Sequence, residues 1–174
     1  DLSYLPQCDG KSLDAIRVVF PHGKHEEGIA VGKEIAKKGY QVYFQAANTL
    51  AYSEEDLTDL AKAMNQVHPV AVSVVDTFGA MYQEDLERIV QVLDRELDAE
   101  IKLGFHSHNN QQLSFALTMH FVELLKDSKR GCIVDASLCG MGRGAGNATT
   151  ELVAYYLNRK QHGDYDMNQI MDAI

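Results

Sequence analysis

Ile101-Lys102-Leu103-Gly104-Phe105-His106-Ser107-His108-Asn109-Asn110 is the stretch on which the fold turns. Its first half, Ile101–Phe105, is a short apolar run of strand type. Its second half is polar and carries two histidines one residue apart. Successive residues of a strand face opposite ways, so His106 and His108 leave the same face of one strand end. Parallel α/β proteins gather their chemistry at the C-terminal ends of such strands.

Outward from this stretch, four further apolar runs have the same character: Ala15–Phe20, Gln41–Ala46, Ala71–Val75 and Cys132–Leu138. They are short, rich in Val, Ile and Phe, and mostly apolar on both faces, as buried parallel strands are. The five starts lie 26, 30, 30 and 31 residues apart. One strand–helix unit takes about 30 residues, so the spacing reads as repeated βα. Helical periodicity fills the gaps, with Leu57, Leu60, Ala61 and Met64 in one and Leu86, Ile89, Val90, Leu93 and Leu97 in the next. Ser53 before Glu54, Glu55 and Asp56 reads as an N-cap with an acidic first turn. Gly39 reads as a C-cap for the helix through Ile29–Lys38.

This alternation predicts a single α/β domain over residues 1–174 with a parallel sheet and right-handed crossovers. Two architectures fit: a five-stranded open parallel sheet, or an incomplete (β/α)8 TIM barrel. A complete barrel needs about 250 residues, so length alone favours the open sheet. The motifs favour the incomplete barrel.

The formal net charge of −9 opposes binding to a polyanion, and no Lys/Arg stripe offsets it, so nucleic acid is excluded as a partner. No apolar run approaches the roughly 18–20 residues that cross a bilayer, and Asp1–Gly10 shows no signal peptide, so no membrane partner is expected. Cys8, Cys132 and Cys139 are odd in number and lack C-x-x-C spacing. Neither a disulfide scaffold nor a zinc ribbon fits, and a reducing cytoplasm is the simplest compartment.

Two neutral imidazoles at one strand end make a pair of metal ligands. The ordinary alternative is two histidines bonded to backbone or solvent; the position at the end of a buried strand favours the metal. A second motif, Gly140-Met141-Gly142-Arg143-Gly144-Ala145-Gly146-Asn147, follows another apolar run. Gly140, Gly142, Gly144 and Gly146 let backbone approach a ligand closely. The segment lacks the Lys-Ser/Thr of a P-loop and the spacing of a dinucleotide fingerprint. Asn147, near a helix start, reads equally as a metal ligand or an N-cap. Asp76, in Asp76-Thr77-Phe78-Gly79, either supports a ligand histidine or makes an Asx-type turn, and locally the turn is favoured. Asn48 carries the same ambiguity. Asp135 sits inside an apolar run, where a carboxylate must be paired or solvated; it is read as orienting a ligand or bonding a neighbouring loop. No G-x-S-x-G elbow is present. Lys102 opens its strand and Lys24 lies in a loop, which disfavours imine chemistry.

With those residues placed, Gly104–Asn110 and Val134–Leu138 running into Gly140–Asn147 resemble the HMG-CoA lyase-like metal-dependent aldolases, the pyruvate carboxyltransferase domain superfamily. Val75–Ala80 resembles the matching turn of the 4-hydroxy-2-oxovalerate aldolase branch, where serine commonly replaces Thr77. The resemblance implies a (β/α)8 barrel of which strands three to seven are present and strands one, two and eight are not. It implies His106 and His108 as metal ligands, Asn147 as a further ligand, and Thr77 and Asn48 along the substrate pocket. The Arg and acidic ligand that the family carries on strand one, and the base His and late Tyr of the aldolase branch, have no counterpart here, so catalytic residues are unassigned. Arg143 and the short glycine loop differ from both the catalytic-Cys loop of HMG-CoA lyase and the Glu-Arg of the synthases.

The implied activity is a divalent-metal-dependent carbon–carbon lyase acting on a 2-oxo acid such as a 4-hydroxy-2-oxoacid through a metal-stabilised pyruvate enolate. Mn²⁺ or Mg²⁺ is the expected cation, with Co²⁺ or Zn²⁺ also compatible. A homo-oligomer and an acylating aldehyde dehydrogenase partner follow from the resemblance alone. The rivals are a Claisen-type acyl-CoA synthase and an inactive interaction domain.

Overall fold

The computed structural model describes residues 2–174; Asp1 lies outside the described residues. Five strands, β1 (Ala15–Phe20), β2 (Gln41–Ala46), β3 (Ala71–Asp76), β4 (Lys102–Ser107) and β5 (Cys132–Val134), form one parallel sheet in the order β1-β2-β3-β4-β5. The helices are α1 (His25–Lys37), α2 (Glu54–Asn65), α3 (Gln83–Glu96), α4 (Ser114–Leu124), α5 (Thr150–Lys160) and α6 (Met167–Asp172).

Spatial order follows chain order without reversal. A doubly wound sheet reverses at a switch point and carries helices on both faces. Here each right-handed crossover steps the same way, which puts the crossover helices on one face. The result is an open sheet built in barrel order. Phe44, Val72 and Leu103 form one lateral row of the register and are buried, as are Leu57, Leu60, Met64, Leu86, Ile89, Leu93 and Phe121 on the helices. These residues belong to one apolar core. Phe105 stacks on Phe121 with ring centroids 5.4 Å apart.

The opposite face is lined by the alternate rows: Val19, Gln45, Ser73 and Gly104, then Val75 and His106. Arg17, on edge strand β1, reaches Asp135, just past edge strand β5, across this face. Only a curled sheet brings its two edges that close.

Local chemistry sets the element ends. Ser53 and Asp56 form a reciprocal capping box, with Ser53 Oγ accepting from Asp56 N at 3.1 Å and Asp56 Oδ2 accepting from Ser53 N at 2.9 Å. Gly39 takes φ +88° just after α1, as a helix-ending glycine does. The C-terminus of α3 is closed by Arg130, whose side chain is 4% exposed. Its guanidinium donates to Asp94 Oδ1 and to the carbonyls of Asp94, Leu97, Asp98 and Ile101.

Two strand readings need correction. Cys132–Leu138 is not a buried strand: Cys132 is exposed, β5 ends at Val134, and Leu138–Gly140 is a 3-10 turn with Cys139 at φ +52°. As an edge strand, β5 lacks the second neighbour that would extend and cover it. Conversely, β3 and β4 continue into Asp76 and His106–Ser107, so these polar residues sit in the sheet rather than after it. The three cysteines are free. Among the described residues, no helix is long and apolar enough to cross a membrane.

Candidate functional site

The middle of β1, the C-terminal ends of β2 and β4 and the segment after β5 bring four polar side chains together over the concave face. Asp135 is their hub. Its Oδ2 accepts from Arg17 Nη1 at 2.5 Å and from Gln45 Nε2 at 3.1 Å, and its Oδ1 accepts from Arg17 Nη2 at 2.7 Å. His106 Nδ1 lies 3.0 Å from Oδ2. Burial alone would push the Asp135 carboxyl up, but hydrogen bonds from His106 and Arg17 outweigh it and hold the group below the ordinary carboxylate range. An ionised carboxylate only accepts, so His106 Nδ1 carries a proton, and in the neutral ring Nε2 is then bare.

His108 is held in the same sense by a different acceptor. Its Nδ1 lies 3.0 Å from the main-chain oxygen of Asp76, which also can only accept. The two imidazoles stand edge to face, with ring centroids 5.0 Å apart and planes at 77°. Both rings therefore offer Nε2 lone pairs from one strand end.

Asn147 completes the cluster. It pairs with His108 through an isolated antiparallel bridge, anchored by Asn109 N donating to Gly146 O at 2.8 Å. Its Nδ2 donates to Met141 O at 3.0 Å. A carbonyl oxygen must face the amide nitrogen, which settles the amide orientation. Oδ1 is then buried and meets no donor. A buried acceptor without a protein donor is rare. The N-cap alternative fails, because Thr149 occupies the cap position of α5. Two imidazole nitrogens and an amide oxygen suit a divalent cation. Among the described residues, no group of three His, Cys, Asp or Glu side chains is placed to hold a metal ion.

The glycine loop packs against that amide. A Cβ at Gly142 would lie 2.6 Å from Asn147 Nδ2. Gly146 combines φ +87° with backbone so close to Gly140 O that a side chain has no room. Asn110 ties the loops, donating to Phe78 O at 2.9 Å and accepting from Ala145 N at 3.2 Å. Arg143 lies exposed on the loop.

Asp76 does both things considered for it, with different atoms. Its carboxylate, 2% exposed, accepts from Ala80 N at 2.9 Å and Met81 N at 3.3 Å and closes the turn, while its main-chain oxygen supports His108. Burial raises the pKa of this carboxyl. Thr77 and Asn48 meet each other, Asn48 N donating to Thr77 Oγ1 at 2.7 Å. Neither borders the ≈ 300 Å³ pocket beside His106, which is lined by Arg17, His106, Val134, Asp135, Ala136 and Asn147. Two larger clefts lie away from this polar cluster, one of ≈ 630 Å³ between α1 and α2 and one of ≈ 600 Å³ between α1, β2 and the segment after α2. Arg17 and Gln45 escape a sequence reading. The available signal was an arginine inside one apolar strand and an aspartate beside another, a charge pair looking for each other.

Oxaloacetate decarboxylase of Mycobacterium tuberculosis is 30% identical over 165 residues, covering 94% of this chain and 47% of that protein. 4-Hydroxy-2-oxovalerate aldolase of Chloroflexus aurantiacus is 39% identical over 120 residues, covering 68% of this chain and 33% of that protein. The chain thus spans between a third and a half of these relatives. The solved HMG-CoA lyase of Bacillus subtilis superposes with a TM-score of 0.76 at 16% identity, covering 92% of this chain and 61% of that one. The carboxyl transferase domain of Rhizobium etli pyruvate carboxylase superposes with a TM-score of 0.74 at 15% identity, covering 92% and 27%. At such identities these two likenesses concern the fold. The HMGL-like family model matches residues 23–174, which include the histidine pair, Asp135 and the whole glycine loop, and the chain belongs to that family.

Proposed function

We propose that this chain forms part of a divalent-metal-dependent lyase that breaks a carbon–carbon bond of a 2-oxo acid, with His106, His108 and Asn147 as cation ligands. The observation that carries the proposal is the buried, donorless Oδ1 of Asn147 beside two imidazoles whose Nδ1 atoms are already engaged. Nitrogen and oxygen donors without thiolate suit Mn²⁺ or Mg²⁺, and also Co²⁺ or Zn²⁺. When bound, the cation supplies Lewis acidity for the oxyanion that develops on the 2-oxo group as the neighbouring bond breaks.

The chain's own residues prepare for that event. Asp135 and the Asp76 carbonyl hold the imidazoles in their ligand tautomer. The glycine loop presses Asn147 toward them. The pocket beside His106 has the size for a small acid. The aldolase and decarboxylase names of the relatives share one chemistry: both leave the bonding electron pair on the carbon next to the oxo group, and a proton there gives pyruvate. The leaving group is an aldehyde in one case and carbon dioxide in the other. An acylating aldehyde dehydrogenase partner, and a homo-oligomer, belong to the aldolase arm of the proposal.

The test is Mn²⁺ titration of the purified protein, with pyruvate release measured from 4-hydroxy-2-oxovalerate and from oxaloacetate. His106→Ala and His108→Ala are each expected to weaken Mn²⁺ binding by at least about 100-fold, beyond the loss of an outer hydrogen bond. Free CoA release from acetyl-CoA in place of pyruvate would turn the assignment to an acyl-CoA synthase. Saturating Mn²⁺ that leaves both histidines unperturbed would leave an interaction domain.

A further inference from the structure

We infer that Arg17 is a positioning residue of this site: by clamping Asp135 from the far edge of the sheet, it holds His106 in the tautomer and orientation that leave Nε2 bare. The inference takes its purpose from the metal proposal, but its geometry stands without a cation.

A carboxylate offers about four lone-pair sites. Asp135 has four donors: Arg17 Nη1, Arg17 Nη2, Gln45 Nε2 and His106 Nδ1. Three of them converge on Oδ2 and Arg17 Nη2 alone holds Oδ1, so the carboxylate cannot turn without breaking a bond. Three of the four donors belong to Arg17 and Gln45. Their effect is transmitted through the fourth. The Arg17 fork is planar and always charged, and two parallel bonds fix the plane of the carboxylate as a single lysine contact would not. Gln45 supplies one weaker, neutral bond at 3.1 Å. Arg17 and His106 are the only ion-pair partners of Asp135 among the described residues. With the Arg17 side chain 47% exposed and that of Asp135 11% exposed, the clamp reaches from the open mouth of the pocket to its floor.

The competing view is that Arg17–Asp135 merely staples β1 to the far side of the sheet. The two views differ in what a variant changes. Long-range ¹H–¹⁵N correlation of the metal-free protein, at about pH 8 where histidine is neutral, reads the His106 tautomer directly. The wild type is expected to show Nδ1–H. Arg17→Met is expected to give mixed tautomers and about 10–100-fold weaker Mn²⁺ binding, the usual effect of losing an outer partner. Arg17→Lys should fall between. Asp135→Asn should weaken Mn²⁺ binding similarly, and the double variant should add little to either single one, since both act on one ring.

A wild-type His106 in the Nε2–H form would overturn the inference. So would an Arg17→Met protein that keeps the wild-type tautomer and Mn²⁺ affinity while only its melting temperature falls. If Arg17→Met does not fold, the wild-type tautomer and Arg17→Lys decide. If the wild type binds no Mn²⁺, the metal proposal fails and the tautomer measurement still judges Arg17.

Discussion

Asp135 and Gly146 show how much single residues control at this site. The folded pKa of Asp135 lies below its unfolded value near 3.9. Its contribution to stability is therefore complete above that unfolded value and is lost as pH falls through the lower, folded one. Asp135→Asn should flatten the acid limb of the stability curve below about pH 4 in urea melts; an unchanged limb would show that the clamp adds nothing. Gly146→Ala places a Cβ at φ +87° against Gly140 O. A loss of about 1–3 kcal/mol is expected from the strain and overpacking, measured by denaturant unfolding. The histidine pair was legible in the sequence because its logic is local: two residues on one strand share a face. The Arg17–Asp135 contact was not, because it joins residues 118 apart and exists only once the sheet curls. Asn147 stayed ambiguous in the sequence, and only Thr149 at the cap position of α5 removes its N-cap alternative.

At the level of elements, boundaries were readable wherever local chemistry sets them. β1 and β2 match the apolar runs at both ends, and the Ser53–Asp56 box starts α2 where the acidic turn indicated. β5 was overdrawn by four residues, because composition does not distinguish an edge strand from a central one. The cap supplied by Arg130 was also invisible, since it belongs to another segment than the helix it closes. Arg130→Met should destabilise the protein by about 3 kcal/mol, as it strips the buried carbonyls of Leu97 and Ile101 of this donor and removes the ion-pair partner of Asp94. Equilibrium urea denaturation checks this, and a loss under about 0.5 kcal/mol would mean that water replaces the guanidinium.

For the whole molecule, the regular spacing announced repeated βα units but could not order them. Length pointed to an open sheet and the motifs to a barrel; the sheet is open, and its strand order is that of a barrel. β3, buried at all six positions, should show the slowest amide hydrogen exchange, with β1 and β5 exchanging first. Uniform protection across the five strands would contradict that gradient. The span between Arg17 and Asp135 also bears on how the chain acquires its shape. Closing a loop of that length comes late, after nearer contacts have restrained the ends. During synthesis β1 emerges long before the residues it must meet across the mouth. The cluster around His106 is consequently expected to assemble late, so a cation held as proposed would enter a scaffold already formed and would not seed its folding.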